Sequence, residues 1–389
     1  MPLTFTWIPH FTSVINWTLR LGLGLLKQVK PVDQPWLAII DHSIDIGTKK
    51  ALVVLRVPMD TLSRKAKAIQ LRDCECIGLK ISETVNGESI SLELEEIFNQ
   101  AGNPDAIVKD CDHTLNKGVR LWSEKQSVSV PVIEDIGHVT ATALKKQYKD
   151  STGYKEFTEL ASKGASRLRQ TDLAFLIAPK LRAKGRFQSI SKLGAWGDKI
   201  LTVLAVKGTA KKGSLLARLR EALPGFSRLK PFIKSFARAA RATSEIMEIL
   251  KNKGLDQNSY ELCLEITEQL PRGSVVKKRL KQWLNDHLVI QKEITSLPLL
   301  VSSDIIESLF GHFKPVIERS AQADMNRTAL LIPALCGEID ETVIKNALNQ
   351  ARHKDLKYWE DVNISYTVRK KRQEFLNNNI QKTINIKAT

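Results

Sequence analysis

WLAIIDHSIDIGTKKALVVLRV, residues 36–57, holds two apolar, β-branched runs, WLAII (36–40) and ALVVLRV (51–57), on either side of a turn at Gly47. Short runs of this composition bounded by a turn read as the two strands of a hairpin. Working outward, CIGLKIS (76–82) supplies a third strand. After an Asn86-Gly87 turn, SISLELEEIFNQAG carries Leu92, Leu94, Ile97 and Phe98 at helical spacing. AIV (106–108) runs into Asp110, TLNKGVRLW reads as a helix, SVPVI (129–133) runs into Asp135, and TATALKKQY is helical again. The order is β-β-β-α-β-α-β-α. Three antiparallel strands followed by right-handed parallel β-α units give an expected sheet order of 3-2-1-4-5.

That order defines an α/β class, an RNase H-like five-stranded mixed sheet over residues 36–150. From 151 to 298 no strand pattern occurs, while LLARLREAL, FIKSFARAARATSEIMEIL and SVVKKRLKQWLNDHLVIQKEI all have helical periodicity. A large all-α insertion is therefore expected there, with the rest of the sheet domain, residues 299–389, following it. In SSDIIESLFGHFK (302–314) Ser302 or Ser303 reads as the N-cap of a helix that Pro315 should kink or end. Residues 1–35 contain FTSVINWTLRLG (11–22), with Thr12 or Ser13 as cap and Gly22 as terminator, similar to the second helix of a helix-turn-helix. Ten preceding residues have no room for the first helix. The segment is expected to be either the remnant of an N-terminal DNA-binding part or a helix docked on the core.

Composition narrows the function. Of 389 residues, 43% are apolar and 26% charged, which excludes collagen-like, low-complexity and mainly disordered classes. No run of 18 apolar residues occurs, so no membrane partner is expected, and without a secretory start the expected location is cytoplasmic. Five cysteines without paired CxxC motifs argue for reduced thiols rather than a disulfide framework or zinc knuckle. The net charge of +17 is concentrated, with residues 161–240 holding eighteen Lys and Arg against Asp172, Asp198 and Glu221. Concentration of one sign in one segment is what binding of a phosphate backbone by counterion release requires.

The acids at the strand ends supply the chemistry. Asp41 follows the first strand and Asp110 the fourth, and neighbouring strands lie about 4.8 Å apart, so the two carboxylates should converge at one sheet edge. Like charges that close repel unless a cation lies between them, and Mg²⁺, with Mn²⁺ as a substitute, prefers such oxygen ligands. Asp135 ends the fifth strand, one spacing further out. A third carboxylate would complete two metal positions roughly 3.5–4 Å apart, the arrangement used for in-line displacement at phosphorus. Glu307 is the candidate. Lys314, seven positions on, shares its helix face and is placed to hold a phosphate.

WLAIIDHSIDIGTKKALVVLRV, AIVKDCDHTLNKGVRLW, PVIEDIGHVTATALKKQ and SSDIIESLFGHFK resemble the conserved blocks of bacterial insertion-sequence DDE transposases, especially a group common in cyanobacteria, over most of residues 10–375. The resemblance implies an RNase H-like core with a helical insertion before the last acid. It also implies a metal-binding Asp-Asp-Glu triad at Asp41, Asp110 and Glu307. Glu307 and Lys314 match the end of a Tyr-x2-Arg-x3-Glu-x6-Lys signature, although Leu300 and Ser303 stand where that signature has Tyr and Arg. Asp112 is the alternative to Asp110.

The remaining DNA-binding candidates are Arg182, Lys184 and Arg186 around Gly185, followed by Trp196, which join cations to an aromatic able to stack on a base. His138 is a candidate to orient a ligand or touch a phosphate, and RKKR (369–372) reads as a solvated tail. The expected function is transposition, meaning Mg²⁺-dependent cleavage and strand transfer on double-stranded DNA. A homodimer would bring two element ends together. The alternatives are a catalytically inactive transposase-derived DNA-binding protein and an RNase H-fold nuclease.

Overall fold

The structure, a computed structural model, describes residues 8–46, 49–65, 67–180, 190–317, 325–364, 367 and 371–377. Gly47, Arg182, Lys184, Arg186, Arg369 and Lys370 lie outside the described residues. The chain divides into two compact units, residues 1–133 with 303–389, and residues 134–302.

The first unit is built on a sheet of β1 (Trp36–Ile46), β2 (Lys49–Pro58), β3 (Glu75–Ser82), β4 (Ala106–Lys109) and β5 (Val132–Glu134). Its order is β3-β2-β1-β4-β5, the RNase H-like order expected from the sequence. β1 and β2 pair antiparallel, as do β2 and β3, and β1 and β4 pair parallel. β5 begins later than expected because Pro131 has no N–H to give a ladder, although its carbonyl accepts from the Ile107 N–H at 2.9 Å. β1 runs on beyond Asp41, which pairs with Val53, and the register then shifts before Ile44 pairs with Ala51. One extra residue in β1 makes this a bulge, which lets the polar stretch after Asp41 continue as strand.

Helices α1 (Phe11–Gln28), α2 (Thr61–Lys65), α3 (Gly87–Ala101) and α4 (His113–Gln126) belong to this unit. Successive strand residues face opposite sides. Trp36, Ala38 and Ile40 join Leu52, Val54, Ile77 and Ile107 under α3 and α4, where Ile90, Leu94, Phe98, Val119 and Trp122 complete a buried core. Leu92, placed on the apolar face by spacing, is instead 55% exposed, because Ile90 and Leu94 hold the buried stripe.

The second unit is helical: α5 (Ile136–Tyr148), α6 (Thr152–Leu168), α7 (Ile190–Leu204), α8 (Leu215–Ala222), α9 (Lys230–Lys253), α10 (Gln257–Glu268) and α11 (Val275–Ile294). α5 falls here, rather than with the sheet, because it packs on α9 and α11. The chain then returns to the first unit as α12 (Asp304–Ile317), α13 (Leu331–Ala334), α14 (Glu341–Gln350) and α15 (His353–Asn363). α12 packs on β1, and α13 on β3. Pro315 lies within the last turn of α12, which runs two residues past it.

α1 does not end at Gly22, and its cap is His10 rather than Thr12 or Ser13. It packs on α13 and α14. A Cβ at Gly22 would lie 1.8 Å from the Leu330 carbonyl oxygen, and one at Gly24 would lie 2.1 Å from that of Ala347, so both glycines are there to let backbones meet. Arg20 donates to the Leu348 and Ala351 carbonyls at 2.8 and 2.7 Å, closing the end of α14. Among the described residues no helix is long and apolar enough to cross a membrane.

Candidate active site

Register brings two of the predicted acids together. Ile40 is the partner of Lys109, so Asp41 and Asp110 are the next positions along adjacent parallel strands. Ile40 belongs to the core under α3 and α4, and the Lys109 ammonium reaches Asn116 on α4. Alternation therefore turns Asp41, and Asp110 one residue past the end of β4, to the opposite face, and α12 packs on β1, the strand that carries Asp41. Asp41 is 7% exposed and Asp110 half-buried. Two oxygen-donor side chains at neighbouring strand ends suit a hard divalent cation.

Asp112 has a different task. As N-cap of α4 its carboxylate accepts from the Thr114 and Leu115 N–H groups at 2.8 and 3.0 Å, and its own N–H donates to the Asp110 carboxylate at 3.0 Å. Burial works to raise the Asp112 pKa, but the backbone N–H of Leu115, the charge of nearby His42 and the N–H of Thr114 outweigh it, holding the carboxyl below its usual range.

Glu307 lies in the first turn of α12. Ile305, Ile306, Leu309, Phe310 and Phe313 are buried, and Glu307 itself is exposed. Among the described residues no group of three or more His, Cys, Asp and Glu side chains is spaced to hold a metal, so the three expected ligands do not close into one cluster. The physical reason lies in the helix. The residues that seat α12 are the apolar ones, and Glu307 is set about 100° around the axis from Ile306. Lys314, on the same side as Glu307, is half-buried with its ammonium 6.0 Å from the Phe310 ring centre. Leu300 and Ser303 are both 4% exposed and buried in their own surroundings.

Asp135 and His138 belong to the helical unit. Asp135, 1% exposed, caps α5 and accepts from the His138 N–H at 2.7 Å, with the imidazole Nδ1 3.2 Å from the same carboxylate oxygen. His138 is thus tied into a helix cap. Trp196 is half-buried and held by the fold around it. Its indole N–H donates to the Leu176 carbonyl at 2.8 Å, and its ring lies edge-on to Phe226, 5.5 Å away, and 6.0 Å from Phe157.

The basic surface of the helical unit continues past the segment on which the sequence motifs fell. Lys230, Lys234, Arg238 and Arg241 recur at helical spacing along one side of α9, and all are exposed. Asp198 answers Lys234 at 2.6 Å and Arg241 at 3.6 Å, while Lys230 and Arg238 have no acidic partner among the described residues. The periodicity of those cations within KPFIKSFARAARATSEIMEIL (230–250) is the signal that could have marked this stripe in advance. No motif in the sequence marks His42. It is buried beside Asp41, with Nε2 3.6 Å from the Asp112 carboxylate.

No protein-family model matches the chain, and no curated protein matches it. Among solved structures it is similar to a chain of the Drosophila P element transposase strand transfer complex. The two are 12% identical with a TM-score of 0.43, over 86% of this chain and 87% of that one.

Proposed function

We propose that this chain is a DDE-type transposase, a DNA phosphoryl-transfer enzyme in which Asp41, Asp110 and Glu307 hold Mg²⁺. The observation that carries the reading is that Asp41 and Asp110 directly follow the paired Ile40 and Lys109 on adjacent parallel strands, with α12 packed on β1. Asp41, on a strand with buried neighbours, and Asp110, fixed by the Asp112 N–H, are the two oxygen donors set by the backbone. Glu307 would be the third, its exposed carboxylate turning from α12 toward the pair once metal binds, and Lys314, two turns along that helix, would hold a phosphate. Bound Mg²⁺ would lower the pKa of a water, then of a 3′-hydroxyl, and neutralise the charge that grows at phosphorus during in-line displacement.

The partner is double-stranded DNA. Its support is the concentration of positive charge in residues 161–240 and the exposed stripe on α9. Arg182, Lys184 and Arg186 belong to the same charged segment. Synapsis of two ends by a homodimer follows from the chemistry of transposition.

The test uses the full chain with Mg²⁺ and labelled DNA from the sequences flanking its gene, beside Asp41→Ala and Glu307→Gln. Nicking by the wild type that both variants lose supports the assignment, and joined product with a target plasmid separates a transposase from a nuclease. Tight binding with no nicking at any Mg²⁺ or Mn²⁺ concentration would leave a DNA-binding protein without catalysis.

A further inference from the structure

Resting on Asp41 and Asp110 as the metal-holding pair, we propose that His42 is a positioning residue that steadies Asp112 and, through it, the Asp110 carboxylate. Three observations converge on it. His42 directly follows Asp41, at the point where β1 departs from regular pairing with β2. Its Nε2 lies 3.6 Å from the Asp112 carboxylate oxygen that caps α4, an ion-pair distance rather than a hydrogen bond. The backbone N–H of that same Asp112 donates to the Asp110 carboxylate at 3.0 Å. The route from imidazole to metal-holding acid is therefore one side chain and one peptide unit long.

The other ring nitrogen explains why this position is not filled by a hydrocarbon. His42 is 7% exposed, and its Nδ1 is buried with no hydrogen-bond partner. A buried polar atom without a partner is a loss that an apolar side chain of similar size would avoid. Packing alone would favour leucine here. The imidazole is retained for what Nε2 does, which is to face the Asp112 carboxylate from β1 and so tie the β4–α4 junction to the strand carrying Asp41. Asp41 and Asp110 are then held in one register from both sides, as the outer partners of metal ligands commonly do.

Three variants of the full chain test this: His42→Leu, His42→Gln and His42→Asn. The glutamine amide nitrogen reaches the place of Nε2, and the asparagine amide nitrogen that of Nδ1. The readouts are Mn²⁺ binding, followed by electron paramagnetic resonance of the free ion, and thermal unfolding without metal. His42→Leu is expected to unfold at or above the wild-type temperature while binding Mn²⁺ about 10–100-fold more weakly. His42→Gln should recover most of that affinity and His42→Asn should not. Unchanged Mn²⁺ affinity in the leucine variant overturns the proposal. So does equal loss in the glutamine and asparagine variants, a comparison that still decides if the leucine variant fails to fold. A wild-type chain that binds no Mn²⁺ would sink the metal assignment itself, and the role of His42 with it. Wild-type binding with an indifferent leucine variant would sink the role of His42 alone.

Discussion

Replacing Asp112 with alanine deletes the oxygen that accepts from Thr114 and Leu115 at 2.8 and 3.0 Å. Loss of an aspartate N-cap costs roughly 0.5–2 kcal/mol, typically about 1. The contact with His42, at 3.6 Å and with the Asp112 side chain 39% exposed, adds little. For a unit of this size about 1 kcal/mol corresponds to a fall of roughly 2–4 °C in Tm. Asparagine accepts the same two N–H groups, so Asp112→Asn should lose only a few tenths of a kcal/mol. The pH dependence has a definite sign. Because the folded Asp112 carboxyl lies below its unfolded value, its contribution is present above that value, near ~3.9, and is lost as pH falls through the folded pKa. The Tm gap between wild type and Asp112→Ala should therefore be constant around neutral pH and close in acid. Asp110→Asn behaves in the opposite way. It keeps an acceptor for the Asp112 N–H and so keeps the fold, but it removes one charge of the proposed metal pair and should abolish Mg²⁺-dependent nicking. The assay is calorimetry from acid to neutral pH together with nicking for all three variants. If Asp112→Asn loses nicking as completely as Asp110→Asn, while Asp112→Ala melts with the wild type, the two acids have been assigned in reverse.

Gly22→Ala places a Cβ 1.8 Å from the Leu330 carbonyl and should cost about 1–3 kcal/mol, read as a lower Tm; wild-type melting would mean α1 is not seated as described. Replacing Lys230, Lys234 and Arg238 with glutamine should flatten the plot of log binding constant against log salt by about 0.9 for each duplex phosphate contact removed. Fluorescence anisotropy measures that slope, and an unchanged slope would move the DNA surface away from α9. Of the five cysteines only Cys111 is exposed, while burial pushes Cys76 and Cys263 up to about 12 and Cys74 and Cys336 well above their usual value. The native chain should react rapidly with one equivalent of a thiol reagent and with the other four only after denaturation.

What was legible in the sequence was whatever depends on local pattern and strand register. Apolar runs located the strands, and the alternation of β1 and β4 puts Asp41 and Asp110 on one face with no knowledge of any other contact. The misreadings share a cause, which is that one residue type serves two physical ends. Gly22 reads as a helix terminator, yet it is an interior glycine where α1 meets the Leu330 backbone, and nothing within eleven residues of it announces a partner more than three hundred positions away. Nor does the basic run near Trp196 announce Phe157 and Phe226, which meet its ring from other parts of the chain. The polar stretch after Asp41 reads as loop because a bulge, which lets strand continue through it, leaves no periodic mark.

The third carboxylate separates these two kinds of information. The positions of Asp41 and Asp110 follow from backbone pairing, which tolerates many side chains. The position of Glu307 follows from how α12 seats Ile305, Ile306, Leu309, Phe310 and Phe313, so it depends on shape at five buried positions rather than on the acid itself. In the site proposed above, two ligands would be fixed by the sheet and the third would be carried on a separately packed helix. Changes in the α12 core that leave the sheet intact should then alter how the third ligand meets the pair without disturbing the pair. Enlarging or trimming Ile306, which contributes no donor atom, would act on the site by shifting α12 and with it Glu307 and Lys314.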